Sequence, residues 1–518
     1  MNDLSGNGAA FLRRLTFLSL GLVCVPVYAA IDKIEISDTR GSGMGGAVIT
    51  TVNDAAAVNR NPAALGFMRT KDEISSDNTQ LGKHNFGWNV LDIGAEVTLT
   101  GELGSHIDAL AGLDFDDFEF GTLRESGKLQ DLVQAAAALG SLNEKDTILV
   151  SASAESMMQI GHFGIGIRTY GQVGGWVNNV DLVRIGLGLA VSEIITELES
   201  ASSAEGFTPG SYQGTLSQDQ KQQIESAFNQ AGVDDVVAFI DSKITALVDE
   251  GKIGQGQVDA AVDTIAEMIS GAGGVNRLAD NETTITGRGF GAVEVPISYG
   301  YAINENFSVG ATAKLMMGLV YGTQVWVFNE DNVGFLESTL DSYNQSVNIG
   351  VDLAAMYRIK RAQFAVVGRN LNSPTFDGYD QDITLETALG TTNRTINVPD
   401  VKLDPQVTIG ASFIPAKRWV LESNLDLFET GTILNNYNEQ RLSFGTEVDL
   451  SVVQLRLGTY KNLAESDIGW VLTGGLGFQL WALSVDAGLA LSIDDTVEFD
   501  GTEYPRTAQA NIGIGMTF

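Results

Sequence analysis

The sequence predicts an all-β fold, a transmembrane antiparallel β-barrel of about 14 strands with α-helical insertions in its long loops. Apolar and polar residues alternate with period two in one stretch after another, giving each strand one face for an apolar medium and one for water. Long and short connections between these stretches alternate, as in outer-membrane barrels with short turns at one end and longer loops at the other. Charges fall opposite the apolar faces, at Lys314, Asp352, Arg358, Glu422, Asp426, Glu447 and Asp486. These positions are expected to face a hydrated lumen; in a soluble β-sandwich they would burden the core.

Residues 1–29 read as a signal peptide: Arg13 and Arg14, a short apolar run from Leu15 to Val27, then Val27-Tyr28-Ala29 as a small-x-small cleavage site. The run is too short to span a bilayer. The Arg13-Arg14 pair is a weak match to a twin-arginine signal, and Cys24, preceded by Val23, is a poor lipoprotein site. Cys24 is the only cysteine, so the exported chain is expected to lack disulfides and thiolate metal sites.

Residues 30–85 form the next unit. Ile31 to Ser37 alternates as a short strand and leads into Arg40-Gly41-Ser42-Gly43-Met44-Gly45-Gly46-Ala47. Gly41, Gly43 and Gly46 satisfy the spacing of a dinucleotide fingerprint, but no helix pattern follows and no βαβ unit encloses them. Their expected role is steric, allowing backbone to pack closely. Asp54-Ala55-Ala56-Ala57-Val58 and Asn61-Pro62-Ala63-Ala64-Leu65 follow.

This order just after a signal peptide resembles the N-terminus of FadL-like outer-membrane proteins. Within that superfamily the chain is most similar to the barrel-type conjugal transfer protein TraF family. Gly368-Arg369-Asn370-Leu371-Asn372-Ser373-Pro374 resembles a second signature of that group. The resemblance implies that residues 30–85 are a plug or hatch inside the barrel mouth, with Gly41, Gly43, Gly45, Gly46, Asn61, Pro62 and Ala63 as its gate. The thioredoxin-like periplasmic TraF of pilus assembly is a different protein, because this chain has no CxxC.

The barrel is expected over 86–518. Its strands begin at Phe86–Leu99, Thr147–Glu155, His162–Gly171 and about Phe290, with Val293, Val295, Ile297, Tyr299 and Tyr301 on one face. The rhythm continues through Phe307–Leu319, Val347–Tyr357, Gln363–Asn370, Val407–Phe413, Trp419–Leu427, Leu442–Leu450, Val453–Leu457, Trp470–Phe478 and Leu483–Leu491. Aromatic residues such as Tyr301, Tyr357, Trp419, Trp470 and Trp481 cluster at strand ends, as interface girdles do. The last strand, Thr507 to Phe518, alternates strictly. Its apolar residues Ile512, Ile514, Met516 and Phe518 are read as the signal for the barrel-assembly machinery.

Helical insertions are expected at about 101–146 and 173–289. Ser126 to Leu139 aligns Leu129, Leu132, Val133 and Ala136; three more helices are expected between Ser217 and Gly271, the first opened by a Ser217–Gln220 capping box. Strand parity puts these on the side of the long loops, outside the cell.

Formal net charge is −34, which disfavours nucleic acid as a partner. The acidic clusters Asp114–Glu119 and Asp494–Asp500 lack the spacing of a calcium loop. His84, His106 and His162 are far apart in sequence, and no nucleophile elbow occurs. No enzyme activity and no cofactor are expected. Expected partners are outer-membrane lipids and lipopolysaccharide, the barrel-assembly machinery, and a small hydrophobic ligand. The resemblance implies passage of small hydrophobic molecules across the outer membrane of a Gram-negative bacterium. The alternatives are a non-transporting scaffold for a conjugation or secretion apparatus, and a general diffusion porin.

Overall fold

A computed structural model of the chain describes residues 36–68, 86–103, 106, 128–143, 145–181, 190–211, 213–271, 282–326, 342–387, 390–434, 437–494, 496–499 and 502–517. The signal peptide, His84, the Asp114–Glu119 cluster and Phe518 lie outside these residues.

Fourteen antiparallel strands close into one barrel, each paired with its neighbour in sequence order. They are β1 Phe86–Leu99, β2 Thr147–Ile160, β3 Phe163–Asn179, β4 Thr284–Ala302, β5 Phe307–Trp326, β6 Asn344–Ile359 and β7 Ala362–Arg369. The second half comprises β8 Gln406–Ala416, β9 Trp419–Asp426, β10 Arg441–Asp449, β11 Val453–Asn462, β12 Val471–Leu480, β13 Leu483–Ser492 and β14 Thr507–Thr517. β14 closes the ring on β1, with Ile512 opposite Ile93 and Thr507 opposite Thr98.

The apolar faces point outward. Ile297, Leu315, Ile349, Leu457, Leu489, Ile512 and Ile514 are all exposed, while the alternating Ser298, Lys314, Asp352, Arg456 and Asn511 are buried inside. That is the inverse of a soluble barrel and the arrangement of one immersed in lipid.

The wall is uneven. β1 to β6 are 14 to 20 residues long, whereas β7 to β14 are 8 to 11. Here the expected insertion boundaries of 173 and 289 need correction: β3 runs on to Asn179 and β4 begins at Thr284. The cause is glycine. Gly171 faces Gly291 and Gly175 faces Gly287 across the β3–β4 pair, so the apolar alternation that reveals a strand is erased where the ladder continues. The expected Ile31–Ser37 strand also fails in its described part, because Ile36 and Ser37 form a turn.

The insertion between β3 and β4 holds helices on a core of their own. With the helix before β2, they are α4 Lys128–Ser141, α5 Val191–Ala204, α6 Gln218–Phe228, α7 Asp234–Asp249 and α8 Val258–Ser270; three shorter helices precede them in the N-terminal segment. Val133, Ile194, Leu198, Ile224, Phe228, Ile240, Ile244, Leu247, Val262 and Ile265 pack in one cluster drawn only from these helices and their links. The Ser217–Gln220 capping box is present: Gln220 N donates to Ser217 Oγ at 3.3 Å and Ser217 N to Gln220 Oε1 at 2.7 Å. Helix α5 escaped the periodicity reading although Ile194, Leu198 and Ala201 share a face.

Candidate functional site

Residues 36–68 lie against the inner wall of the barrel. They have three short helices, α1 Thr39–Gly43, α2 Ala57–Arg60 and α3 Pro62–Leu65. Asp38 caps α1 by accepting from Gly41 N at 2.9 Å, and its second oxygen pairs with Arg60 Nε at 2.7 Å, tying the two ends of the segment together. Gly45 and Gly46 have φ of +66° and +88°, a left-handed turn that side chains resist. Asn61 caps α3, accepting from Ala63 N at 2.9 Å and donating to Ile49 O at 2.7 Å, with Pro62 at the first helical position. The Asn-Pro-Ala motif is therefore a capped helix start as well as a turn.

The fit to the wall is steric first. A Cβ on Gly43 would lie 2.9 Å from the Gly475 Cα, and one on Gly45 would lie 2.7 Å from the Thr459 carbonyl oxygen. From the wall side, a Cβ on Gly458 would collide with Met44 backbone, and one on Gly310 with the carbonyl of Pro62. Backbone meets backbone because neither surface carries a side chain there.

Polar clamps then fix the segment. Arg40 donates to both oxygens of Glu447, at 2.9 and 3.1 Å, and Arg456 reaches the same carboxylate at 2.7 Å and also pairs with Asp486. Glu422 accepts from Thr50 N at 2.7 Å and Thr51 Oγ1 at 2.6 Å. Across the lumen, Asn59 donates to Glu155 at 3.1 Å, and Arg168 lies 3.7 Å from Glu155 and 3.3 Å from Glu294. Ser298 Oγ donates to Val58 O and Ser308 Oγ to Ala63 O. Burial holds the Asp54 carboxyl above the usual carboxylate range, against the pull of Arg40.

The second signature completes the clasp. β7 is shorter than β6, and the chain after it turns at Asn370, whose φ is +51°. Asn372 then serves the unpaired edge of β6, accepting from Val351 N at 2.9 Å and donating to Ile349 O at 2.6 Å. Lys314, fully buried, bonds Asp352 at 3.0 Å and Asn370 Oδ1 at 2.6 Å, while Asn370 N donates to Asp352 at 2.8 Å. Arg369 Nη2 donates to the Arg60 carbonyl at 3.2 Å. The two stretches that carried the resemblance thus meet inside the barrel.

Toward the long-loop end the lining changes character. Trp176, Phe290, Met316, Val320 and Tyr460 face inward and form an apolar cluster with Phe376, Val398, Ile433 and Leu434 from the loops. Phe376 sits over Gly318 and Val398 over Gly322, so the loop after β7 folds onto β5. That loop also holds a hairpin, Tyr379–Thr387 with Gly390–Val398, missed because its alternating residues are Thr, Asn and Asp.

Lys314, Asp352, Glu422, Glu447 and Asp486 all sit within these inward networks. Asp426 accepts from Thr408 Oγ1 at 2.7 Å near the long-loop end. Arg358 lies at the opposite end, its guanidinium 3.8 Å from the Phe67 ring centroid. The sequence reading missed the partners, namely Arg40, Arg60, Arg168, Arg369 and Arg456. Arg168 and Arg456 had the lumen parity of their strands, and Arg40 and Arg60 were the cations of an otherwise small-residue segment.

The family model described as "F plasmid transfer operon, TraF, protein" matches residues 58–426. No curated protein sequence matches the chain. Among solved structures, the Pseudomonas putida toluene transporter TodX aligns at 11% identity and a TM-score of 0.44, covering 94% of this chain and 99% of that one. The Ralstonia pickettii toluene transporter TbuX gives 12%, 0.44, 94% and 99%, and a Pseudomonas aeruginosa FadL homologue 9%, 0.41, 93% and 98%. At these values the likeness carries no argument about what passes through this barrel.

Proposed function

The chain belongs to the family of the F plasmid transfer operon protein TraF, and from that premise and the geometry of the lumen we propose that it is a plugged outer-membrane barrel for small hydrophobic molecules. The apolar lining of the long-loop half carries this reading. A barrel that conducts water and ions has a polar interior, whereas here Trp176, Phe290, Met316 and Val320 face inward above the polar clamps. Such a layer suits a hydrophobic guest that displaces Phe376 and Val398. Residues 36–68, seated below on glycine and held by Arg40 and Arg369, are the plug that such a guest must pass.

The test is uptake of a hydrophobic fluorescent probe by vesicles containing the folded chain. Phe290→Asp, which puts a charge in the apolar layer, should slow uptake at least about tenfold, since an unpaired buried charge opposes a hydrophobic guest by well over 1.4 kcal/mol. Equal uptake in both forms would discard the hydrophobic pathway.

One observation favours a second reading. The helical insertion folds on its own core and needs no substrate to explain it. As a scaffold of a conjugation apparatus, the function the family's description suggests, the barrel would be an anchor and the bundle its contact. Loss of conjugation on deleting 190–271, with probe uptake retained, would support that reading.

A further inference from the structure

Four of the six short turns lie consecutively around the rim: Lys360–Arg361 between β6 and β7, Lys417–Arg418 between β8 and β9, Leu450–Val452 between β10 and β11, and Trp481–Ala482 between β12 and β13. Backbone bonds knit them, from Ile414 N to Arg361 O at 2.8 Å, Asp449 N to Arg418 O at 2.9 Å, and Gln479 N to Val452 O at 2.8 Å.

Charge sets this sector apart. In a chain of net charge −34, Lys360, Arg361, Lys417 and Arg418 are all exposed here. The other two short turns, Gly161–His162 and Ile303–Asn306, contain no lysine or arginine. Arg418 lies 4.0 Å from a half-buried Asp449 and donates to Ser451 Oγ in the neighbouring turn, while its side chain stays open to solvent.

Backbone sets it apart again. Arg418, Ser451 and Trp481 adopt φ of +72°, +80° and +55°, whereas the β2–β3 turn places Gly161 in that region at +55°. Glycine or asparagine meets such a turn with least strain. Arginine and tryptophan held there are the kind of backbone outlier from which a function is inferred.

The third difference is a fully exposed indole, since aliphatic residues such as Ile160 and Ile303 are exposed at the other two short turns as well. Trp481 is 100% exposed, and Leu480, Leu450 and Val452 are exposed beside it. They continue the outward apolar band through Trp419, Phe478 and Leu483, all exposed. A fully exposed indole at the edge of a lipid-facing band belongs at the level of head groups, and cations beside it attract anionic lipid.

We infer that the rim from Lys360 to Trp481 docks the anionic phospholipids of the leaflet facing the short turns. Trp481, Leu480 and Leu450 enter at head-group depth, while Lys360, Arg361, Lys417 and Arg418 hold phosphodiester head groups. The side formed by β1 to β5 has no such cations in its turns, so the barrel grips that leaflet on one side. This rests on the membrane-barrel reading.

The experiment folds the full chain into vesicles of phosphatidylcholine with one fifth phosphatidylglycerol and reads the retained lipid by native mass spectrometry. The chain should hold phosphatidylglycerol over phosphatidylcholine by roughly fivefold or more beyond its share, because each basic residue near an anionic surface contributes about that factor. Lys360→Gln, Arg361→Gln, Lys417→Gln and Arg418→Gln combined should abolish the preference. Trp481→Asn, which suits the left-handed turn, should remove a share of the fluorescence that shallow-brominated lipid quenches, the rest coming from the exposed Trp88 and Trp419, and leave the preference largely intact. Equal retention of both lipids by the parent chain overturns the inference and leaves the barrel reading standing. Preference for soluble polyglutamate over anionic vesicles overturns it in favour of an acidic protein partner. A chain that inserts into neither kind of vesicle overturns the membrane-barrel reading, and this inference with it.

Discussion

The N-terminal segment and the helical insertion are both hung on the same barrel, and opposite forces hold them. Residues 36–68 are rich in Gly, Ala, Ser, Thr and Asn; their apolar side chains pack in a cluster shared with the wall, where Ile49, Val52 and Ala63 meet Met356 and Val367. Their polar groups end on wall residues such as Glu447, Glu422 and Arg369. The insertion instead buries Ile224, Ile240, Ile244 and Val262 among its own helices, and its one fully buried acid among the described residues, Asp241, is paired with Lys221 of the same bundle. One region is folded by its container and the other folds by itself. A part whose stability comes from contact with a wall can leave that wall; a part with a private core moves only as a body.

That contrast can be broken from either side. The largest effect is expected at Gly310→Val, where the new side chain meets Pro62 backbone. Backbone cannot yield as a side-chain tip can, so the seat should lose about 3 kcal/mol or more. The readout is protease cleavage within 36–68 of a barrel that still migrates as folded on an unheated gel; continued protection would mean that the glycine seat is not what holds the segment. Next comes Ile244→Ala in the bundle, expected to cost about 2–5 kcal/mol as a buried large-to-small change. Helical circular dichroism should melt earlier while the strand signal holds, and a matching loss of strand signal would refute the independent core.

Arg40→Ala should weaken the seat by about 1–3 kcal/mol. Glu447 keeps Arg456 at 2.7 Å, so the carboxylate is not left unpaired and the larger penalty of a broken buried pair does not apply. Proteolysis of 36–68 should quicken, but less than in Gly310→Val; the reverse order would place the clamp in the ion pairs. Smallest is Ser217→Ala, which removes a helix cap worth about 1 kcal/mol and should shift only the bundle's melting.

The contrast also explains which features were legible in the sequence. Strands such as Phe307–Trp326 and Thr507–Thr517 announce themselves because lipid and lumen demand different residues at alternate positions. The bundle helices do so because a private core needs apolar residues at helical spacing, as Val258, Ala261, Val262, Ile265 and Ile269 show. The segment 36–68 has neither periodicity, since its partners lie hundreds of residues away: Arg40 meets Glu447, and Arg60 O meets Arg369. Its glycines were readable as close packing, but what they pack against, Gly458 and Gly475, could not be read from the segment itself. The β3–β4 extension was hidden for a related reason, because glycine leaves no alternation to follow.

The account's central claim is that residues 36–68 close the barrel by being seated in its wall. It is tested most directly by single-channel conductance of the folded chain in planar bilayers, with and without residues 31–65. The account predicts a closed intact barrel and open-channel steps after the deletion. A large, steady conductance in the intact chain would contradict it and return the molecule to the class of open porins.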